Sequence, residues 1–239
     1  MAINKSIIIR EQMLQQVEEF GASLAGIARV DDLKKSPSYL KYAQNPYYSY
    51  FTSYPEWPEG ARSILVFGLL HKKSEPELDW WDPKPGGTPG NRALIRIQKK
   101  QKAWFKDELG INSISLPYKI EEGGIFLKDA SSLAGIGIIG KNNLLISREY
   151  GPRVRLRAMF LEIELEATSP LDFDPCLTCD KPCYRACPQN AFRSGFYERK
   201  YCELQMKKDE ANVRPLPGDP STDHVRYCRA CELACPVGK

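Results

Sequence analysis

Apolar residues recur at Met13, Val17 and Phe20, the spacing of one helix face, so residues 11–20 read as a helix that stops near Gly21. The stretch from Met1 to Arg10 is briefly apolar but has no small-residue cleavage site. It runs straight into the helical pattern and reads as part of it, not as an export signal. A short buried strand is expected over 22–30, then an irregular loop with short helical pieces over 37–60. Residues 61–70, with the unbroken run Ile64-Leu65-Val66-Phe67, predict a stronger strand. Between 72 and 91 the pattern dissolves into Asp79-Trp80-Trp81-Asp82-Pro83-Lys84-Pro85-Gly86-Gly87, and loops of that length often serve as lids or binding loops. Leu94, Ile97, Trp104 and Leu109 then mark a helix over 92–109 closed by Gly110. Residues 111–120 read as extended and 126–135 as a short helix. Residues 136–146 read as a glycine-punctuated turn into a strand. From 154 to 165, Arg153, Arg155 and Arg157 alternate with Val154, Leu156 and Ala158, which predicts a strand with one solvated polar face. The sum is an α+β domain over 1–168, with Thr168-Ser169-Pro170 as the boundary to a second domain over 169–239.

Composition changes little in that picture. With 239 residues, 42% of them hydrophobic and 27% charged, the chain can bury a sizeable core. Its net charge of +4 is too mild to argue for nucleic acid. No apolar run approaches the roughly 18 residues of a membrane span, so a cytoplasmic location with no membrane partner is expected.

The cysteines do change it. All eight fall between residues 176 and 235. They spell Cys176-x2-Cys179-x3-Cys183-x3-Cys187-Pro188 and Cys228-x2-Cys231-x3-Cys235-Pro236, with Cys202 between them. Bacterial ferredoxins use closely similar runs, in which the last cysteine of a run ligates the other cluster. Applied here, that rule assigns Cys176, Cys179, Cys183 and Cys235 to one [4Fe–4S] cluster. Cys187, Cys202, Cys228 and Cys231 serve a second. The extra residue in Cys179-Asp180-Lys181-Pro182-Cys183 is expected to be kinked out by Pro182. Two structural zinc sites are the alternative, though such sites lack the paired Cys-Pro endings.

Residues 134–146, Ala-Gly-Ile-Gly-Ile-Ile-Gly-Lys-Asn-Asn-Leu-Leu-Ile, and residues 54–66, with Pro58-Glu59-Gly60-Ala61-Arg62-Ser63, resemble two stretches of the epoxyqueuosine reductases. Cys202 and the closing cysteine motif fit the same family. The resemblance implies a nitroreductase-like domain holding cobalamin, followed by a bacterial-ferredoxin-like domain whose two clusters reduce the cobalt. Reductive dehalogenases share that plan. Gly135, Gly137, Gly140, Lys141, Asn142 and Asn143 would then line the corrin or its tail; alternatively the glycines only shape the start of a strand. Flavin mononucleotide is the alternative cofactor. Glu121, fourteen positions before Gly135, stands where the family keeps a catalytic aspartate. The expected function is reduction of a small molecule, with electrons from a ferredoxin- or flavodoxin-type donor; the alternative is electron delivery to a separate corrinoid protein. Because the chain stops four residues after Cys235, without the family's C-terminal helical-repeat region, tRNA is not expected as a partner.

Smaller candidates remain. His71 is read as a satisfied polar side chain at a strand end, with cobalt ligation or proton donation as the alternatives. His224 is placed in a loop before Cys228. Trp80, Trp81, Tyr47, Tyr48 and Tyr50 either cover a flat cofactor or simply pack.

Overall fold

The computed structural model describes residues 2–44 and 57–238. Tyr47, Tyr48 and Tyr50 lie outside the described residues. Along the chain run α1 (Ala2–Glu19), β1 (Leu24–Arg29), α2 (Val30–Lys34), α3 (Pro37–Gln44), β2 (Ser63–Leu70), α4 (Pro89–Leu109), β3 (Ser113–Ser115) and α5 (Leu127–Leu133). Then come β4 (Ile138–Ile139), β5 (Leu145–Ile146), β6 (Val154–Leu161), α6 (Pro182–Arg185), α7 (Arg199–Glu210), β7 (Arg214–Leu216), β8 (Asp219–His224) and α8 (Ala230–Leu233). Residues 1–69, 96–138 and 156–172 form one compact unit; residues 70–95, 139–155 and 173–239 form another. A single cut near residue 168 would therefore part the cysteine-bearing segment from 70–95 and 139–155, which group with it.

In the first unit α1 begins well before the expected helix. Its first turns are held by the chain after β6: the Glu166 N–H donates to Ser6 Oγ at 2.7 Å, and Arg10 donates to the carbonyls of Glu166 and Ala167. Met13 and Val17 carry the buried face, as their spacing predicts. The main sheet has the order β1-β2-β6-β3, with β1 antiparallel to β2 and β3 antiparallel to β6. Ile64, Leu65, Val66 and Phe67 are all fully buried. Both faces of β2 are thus covered, and that is why its sequence is a run and not an alternation.

The same coverage corrects the reading of β6. Its arginines do not form a solvated face: Arg157 is 7% exposed and donates to the Leu116 carbonyl at 3.0 Å. Gln98 of α4 reaches the Leu116 and Ala158 carbonyls beside it. The extended stretch expected over 111–120 shrinks to β3, and the chain then closes into a single 3₁₀ turn at Ile120–Glu122.

In the second unit α6, α7 and α8 carry cysteines, and β7 pairs with β8 as an antiparallel hairpin. Pattern reading did not anticipate α7 or the hairpin, and His224 ends β8 instead of lying in a loop. The long loop over 72–91 is pinned along its length. Trp81 and Val225 exchange backbone hydrogen bonds of 2.9 and 2.8 Å, and Arg92 grips both oxygens of the buried Asp82 at 2.9 and 2.8 Å. Asn91 donates to the Gly86 carbonyl at 2.7 Å. Among the described residues no helix is long and apolar enough to cross a membrane.

Candidate cluster and cofactor site

All eight cysteines are free thiols, and all lie in the second unit. Short spacing is what brings them together locally. The extra residue before Cys183 is absorbed by Lys181, which adopts a left-handed φ of 57°, while Pro182 simply opens α6. The kink thus belongs to the lysine and not to the proline.

Their mutual fields sort the thiols into two sets. Burial raises the Cys183 pKa, and the charges of Cys235, Cys176 and Cys179 raise it further. Cys235 is raised by burial and then by Cys176 and Cys179. Burial pushes Cys231 up to about 12, with help from Cys228, Cys202 and Cys187. Cys228, though the residue is exposed, is raised by partial desolvation and, among the cysteines, by Cys187 and Cys202. Each field comes from within one group of four. Backbone amides also point at sulfur: Ala191 N–H donates to Cys187 Sγ at 3.3 Å and Ala230 N–H to Cys228 Sγ at 3.5 Å. Tyr197, half-buried beside them, hydrogen-bonds Cys202. Cys183 and Cys235 are buried, whereas Cys228 is exposed. Among the described residues no three His, Cys, Asp or Glu side chains converge to hold a single metal ion.

The Gly140–Asn143 turn joins β4 to β5 and lies against the first set. Lys141 Nζ donates to the Cys176 carbonyl at 2.8 Å, and the Tyr184 hydroxyl bonds the Lys141 carbonyl at 3.4 Å and that of Gly195 at 2.8 Å. Asn143 takes a left-handed φ of 60°, closing the turn. Asn142 is 3% exposed; its Oδ1 accepts from the Leu144 N–H, and its Nδ2 has no hydrogen-bond partner. A buried amide left without an acceptor suits a site that receives a polar ligand.

The glycines answer to the chain's own packing. A Cβ at Gly140 would stand 2.2 Å from Ile146 Cδ1, and one at Gly135, where φ is +68°, 2.3 Å from the Ser169 carbonyl oxygen. Gly137 is buried just before β4. Glu121 sits in the 3₁₀ turn and is exposed, so the desolvation expected of a proton donor is not built into the turn itself.

Pattern reading missed a charged network beside the cysteines. His71 is 1% exposed, with Nδ1 2.8 Å from Asp79 Oδ1. A Cβ at Gly90 would sit 2.2 Å from His71 Nε2, so that ring edge faces backbone and not a ligand site. Arg155 bridges Asp79 and Glu232, and Arg229 does the same from α8's start. Burial alone would raise the Asp79 pKa. The hydrogen bond to His71 and the charges of Arg155 and Arg229 outweigh it and hold the carboxyl below 3.8. The Arg226-Tyr227-Cys228-Arg229 run was the available signal. Trp80, another expected cofactor cover, stacks on His224 at 4.6 Å, while Trp81 is 42% exposed.

Mixed helix and sheet, with eight free thiols in two groups, defines a candidate iron–sulfur redox protein. No family model matches the chain. It is 28% identical to an epoxyqueuosine reductase of Synechocystis sp. over 186 residues, covering 74% of this chain and 62% of the relative. It is 27% identical to a tetrachloroethene reductive dehalogenase of Desulfitobacterium hafniense over 263 residues, covering 92% and 46%. Its fold matches that of an epoxyqueuosine reductase bound to an epoxyqueuosine-modified tRNA-Tyr stem loop, with a TM-score of 0.67, 18% identity, and coverage of 98% of this chain and 66% of that one. These similarities support an epoxyqueuosine reductase-like family for the chain. It spans less than two thirds of the length of these relatives, which are named as reductases in line with the expected enzyme class. The expectation against tRNA is corrected, since nearly the whole chain shares its fold with a reductase that holds a tRNA stem loop.

Proposed function

We propose that this chain reduces epoxyqueuosine in tRNA, with two [4Fe–4S] clusters feeding electrons to a bound cobalamin. The observation that carries the reading is the division of the eight thiols into two sets of four, each set spanning both cysteine runs. That is the ligand economy of a two-cluster ferredoxin, whose potentials can be low enough to reduce cobalt. Cys176, Cys179, Cys183 and Cys235 would hold one cluster; Cys187, Cys202, Cys228 and Cys231 the other. When bound, the cobalamin supplies a strongly nucleophilic cobalt centre. Residues Gly135, Gly137, Gly140, Lys141, Asn142 and Asn143 of a nitroreductase-like domain would hold it. Asn142 contributes unpaired amide donors, and Lys141 ties its turn to the first cysteine set. Glu121 delivers a proton once substrate covers its turn and desolvates it. In a related Bacillus subtilis epoxyqueuosine reductase the catalytic aspartate loop is swung out of the active site, which is the kind of movement an exposed acid needs.

The test is anaerobic reconstitution, followed by iron and sulfide analysis, cob(II)alamin titration and turnover of a tRNA stem loop carrying the epoxide. About eight iron and eight sulfide per chain are expected, with a cobalamin spectral shift and reduced product. Stoichiometric zinc without sulfide overturns the cluster assignment. Tight flavin mononucleotide binding with no cobalamin response overturns the corrin.

A further inference from the structure

A cleft of about 360 Å³ opens in the second unit, lined by Lys73, Asp79, Trp80, Arg226, Tyr227 and Arg229 with Pro76 and Leu233. That volume lies at the low end of the range for small-molecule sites, about 300–1,000 Å³. Its charges are uneven. Asp79 and Glu232 are matched by Arg155 and Arg229, so those four groups cancel. Lys73 and Arg226 are left facing the cleft with no carboxylate partner among the described residues. Arg226 is nevertheless fixed: its Nε donates to His224 Nε2 at 2.9 Å, and its guanidinium lies 4.0 Å from the centre of the Trp80 ring. Trp80 is held in turn by stacking on His224 at 4.6 Å and 28°. The Tyr227 hydroxyl is committed to Glu210 at 3.1 Å, so the tyrosine offers the cleft its ring.

Two cations around an immobilised aromatic plane, in a concavity that can hold one such unit, match a specific chemistry. A nucleoside phosphate has a flat base for the Trp80 and Arg226 planes and an anion for Lys73 and Arg226. An acidic protein surface would need the cations but has no use for the recessed ring. We propose that this cleft binds a nucleoside phosphate, supplied by a nucleotide of an RNA strand. The chemistry of the site stands by itself; only the choice of RNA as the source rests on the tRNA reading above.

The experiment uses the reconstituted full chain, a short fluorescein-labelled single-stranded oligoribonucleotide read by anisotropy, and adenosine monophosphate as competitor. Arg226→Ala and Lys73→Ala should each weaken oligoribonucleotide binding about tenfold and flatten its salt dependence by about one cation. Lys73 is exposed, so its variant keeps the fold and the cluster absorbance. Lys106→Ala, which removes the same charge from the first unit, should change nothing. Competition by the mononucleotide identifies a site for the free nucleotide unit as well; binding of the oligoribonucleotide without such competition identifies the strand as the source. The proposal is overturned if both variants bind like wild type, if Lys106→Ala weakens binding equally, or if only an acidic electron-transfer protein loses affinity. Oligoribonucleotide binding that persists in a protein unable to turn over epoxyqueuosine tRNA separates this site from the proposed function.

Discussion

Asp79 is the carboxylate on which His71, Arg155 and Arg229 converge, and its side chain is only 14% exposed. Removing its charge leaves two guanidiniums short of a partner, so Asp79→Asn should cost about 3 kcal/mol at neutral pH. The pH dependence follows from its depressed pKa. Below the ordinary value of 3.8 the unfolded chain binds the proton more readily than the folded one. The stabilisation is therefore complete above that pH and lost as pH falls through the folded value. Urea unfolding at a series of pH values should show the gap between wild type and Asp79→Asn closing below 3.8. Glu121 is the contrasting residue: exposed in a single 3₁₀ turn, it should be replaceable with little loss of stability. Glu121→Gln is expected to slow turnover at least tenfold in protein with both clusters and cobalamin loaded, and Glu122→Gln to leave it unchanged. Equal rates in wild type and both variants would remove Glu121 from the mechanism.

At the scale of elements, the chain from α5 to β5 separates two roles for glycine. Gly135 has a positive φ and a backbone carbonyl, that of Ser169, where a Cβ would go. Neither obstacle can move cheaply, so Gly135→Ala should lower stability by more than about 2 kcal/mol. Gly140 meets side chains and no backbone: Ile146 Cδ1 at 2.2 Å and Cγ1 at 2.9 Å, and Asn142 Oδ1 at 3.1 Å. Gly140→Ala should cost about 1–3 kcal/mol, and Ile146→Val, which deletes the nearest of these atoms, Cδ1, should recover part of it. Thermal midpoints of the two single variants and the Gly140/Ile146 double variant check this. A Gly140→Ala protein of undiminished stability that fails to take up cobalamin would instead assign the glycine to the cofactor.

For the whole molecule, the two sets of thiols interleave along the chain. Cys235 joins the set of Cys176, while Cys187 joins that of Cys228. Neither set can be completed by one cysteine run alone, so the second unit should close only when both runs are in place. Cys202→Ala should reduce iron from about eight to about four per chain and leave one cluster signal in the electron paramagnetic resonance of the reduced protein. Loss of both clusters in that variant would show that the partition is wrong.

What the sequence determined was whatever depends on near neighbours. The cysteine spacing marked seven of the eight thiols as two local runs, with only two or three residues between neighbours, and left Cys202 outside both. The helical face of Met13 and Val17 and the apolar run of β2 were legible for the same reason: period and run length are local. Three-dimensional structure decided what depends on partners remote in the chain. Arg155 and Arg157 looked solvated because nothing near them in sequence partners them; Asp79 and Glu232 pair the charge of Arg155, and the Leu116 carbonyl accepts a hydrogen bond from Arg157, all from far away. The aromatic loop over 72–91 looked free for a cofactor until Val225 and Arg92 pinned it. The cleft joins Lys73 to Arg226 across about 150 residues. No periodicity records such a meeting, because it is made by packing, where burial and charge balance are settled between segments and not along them.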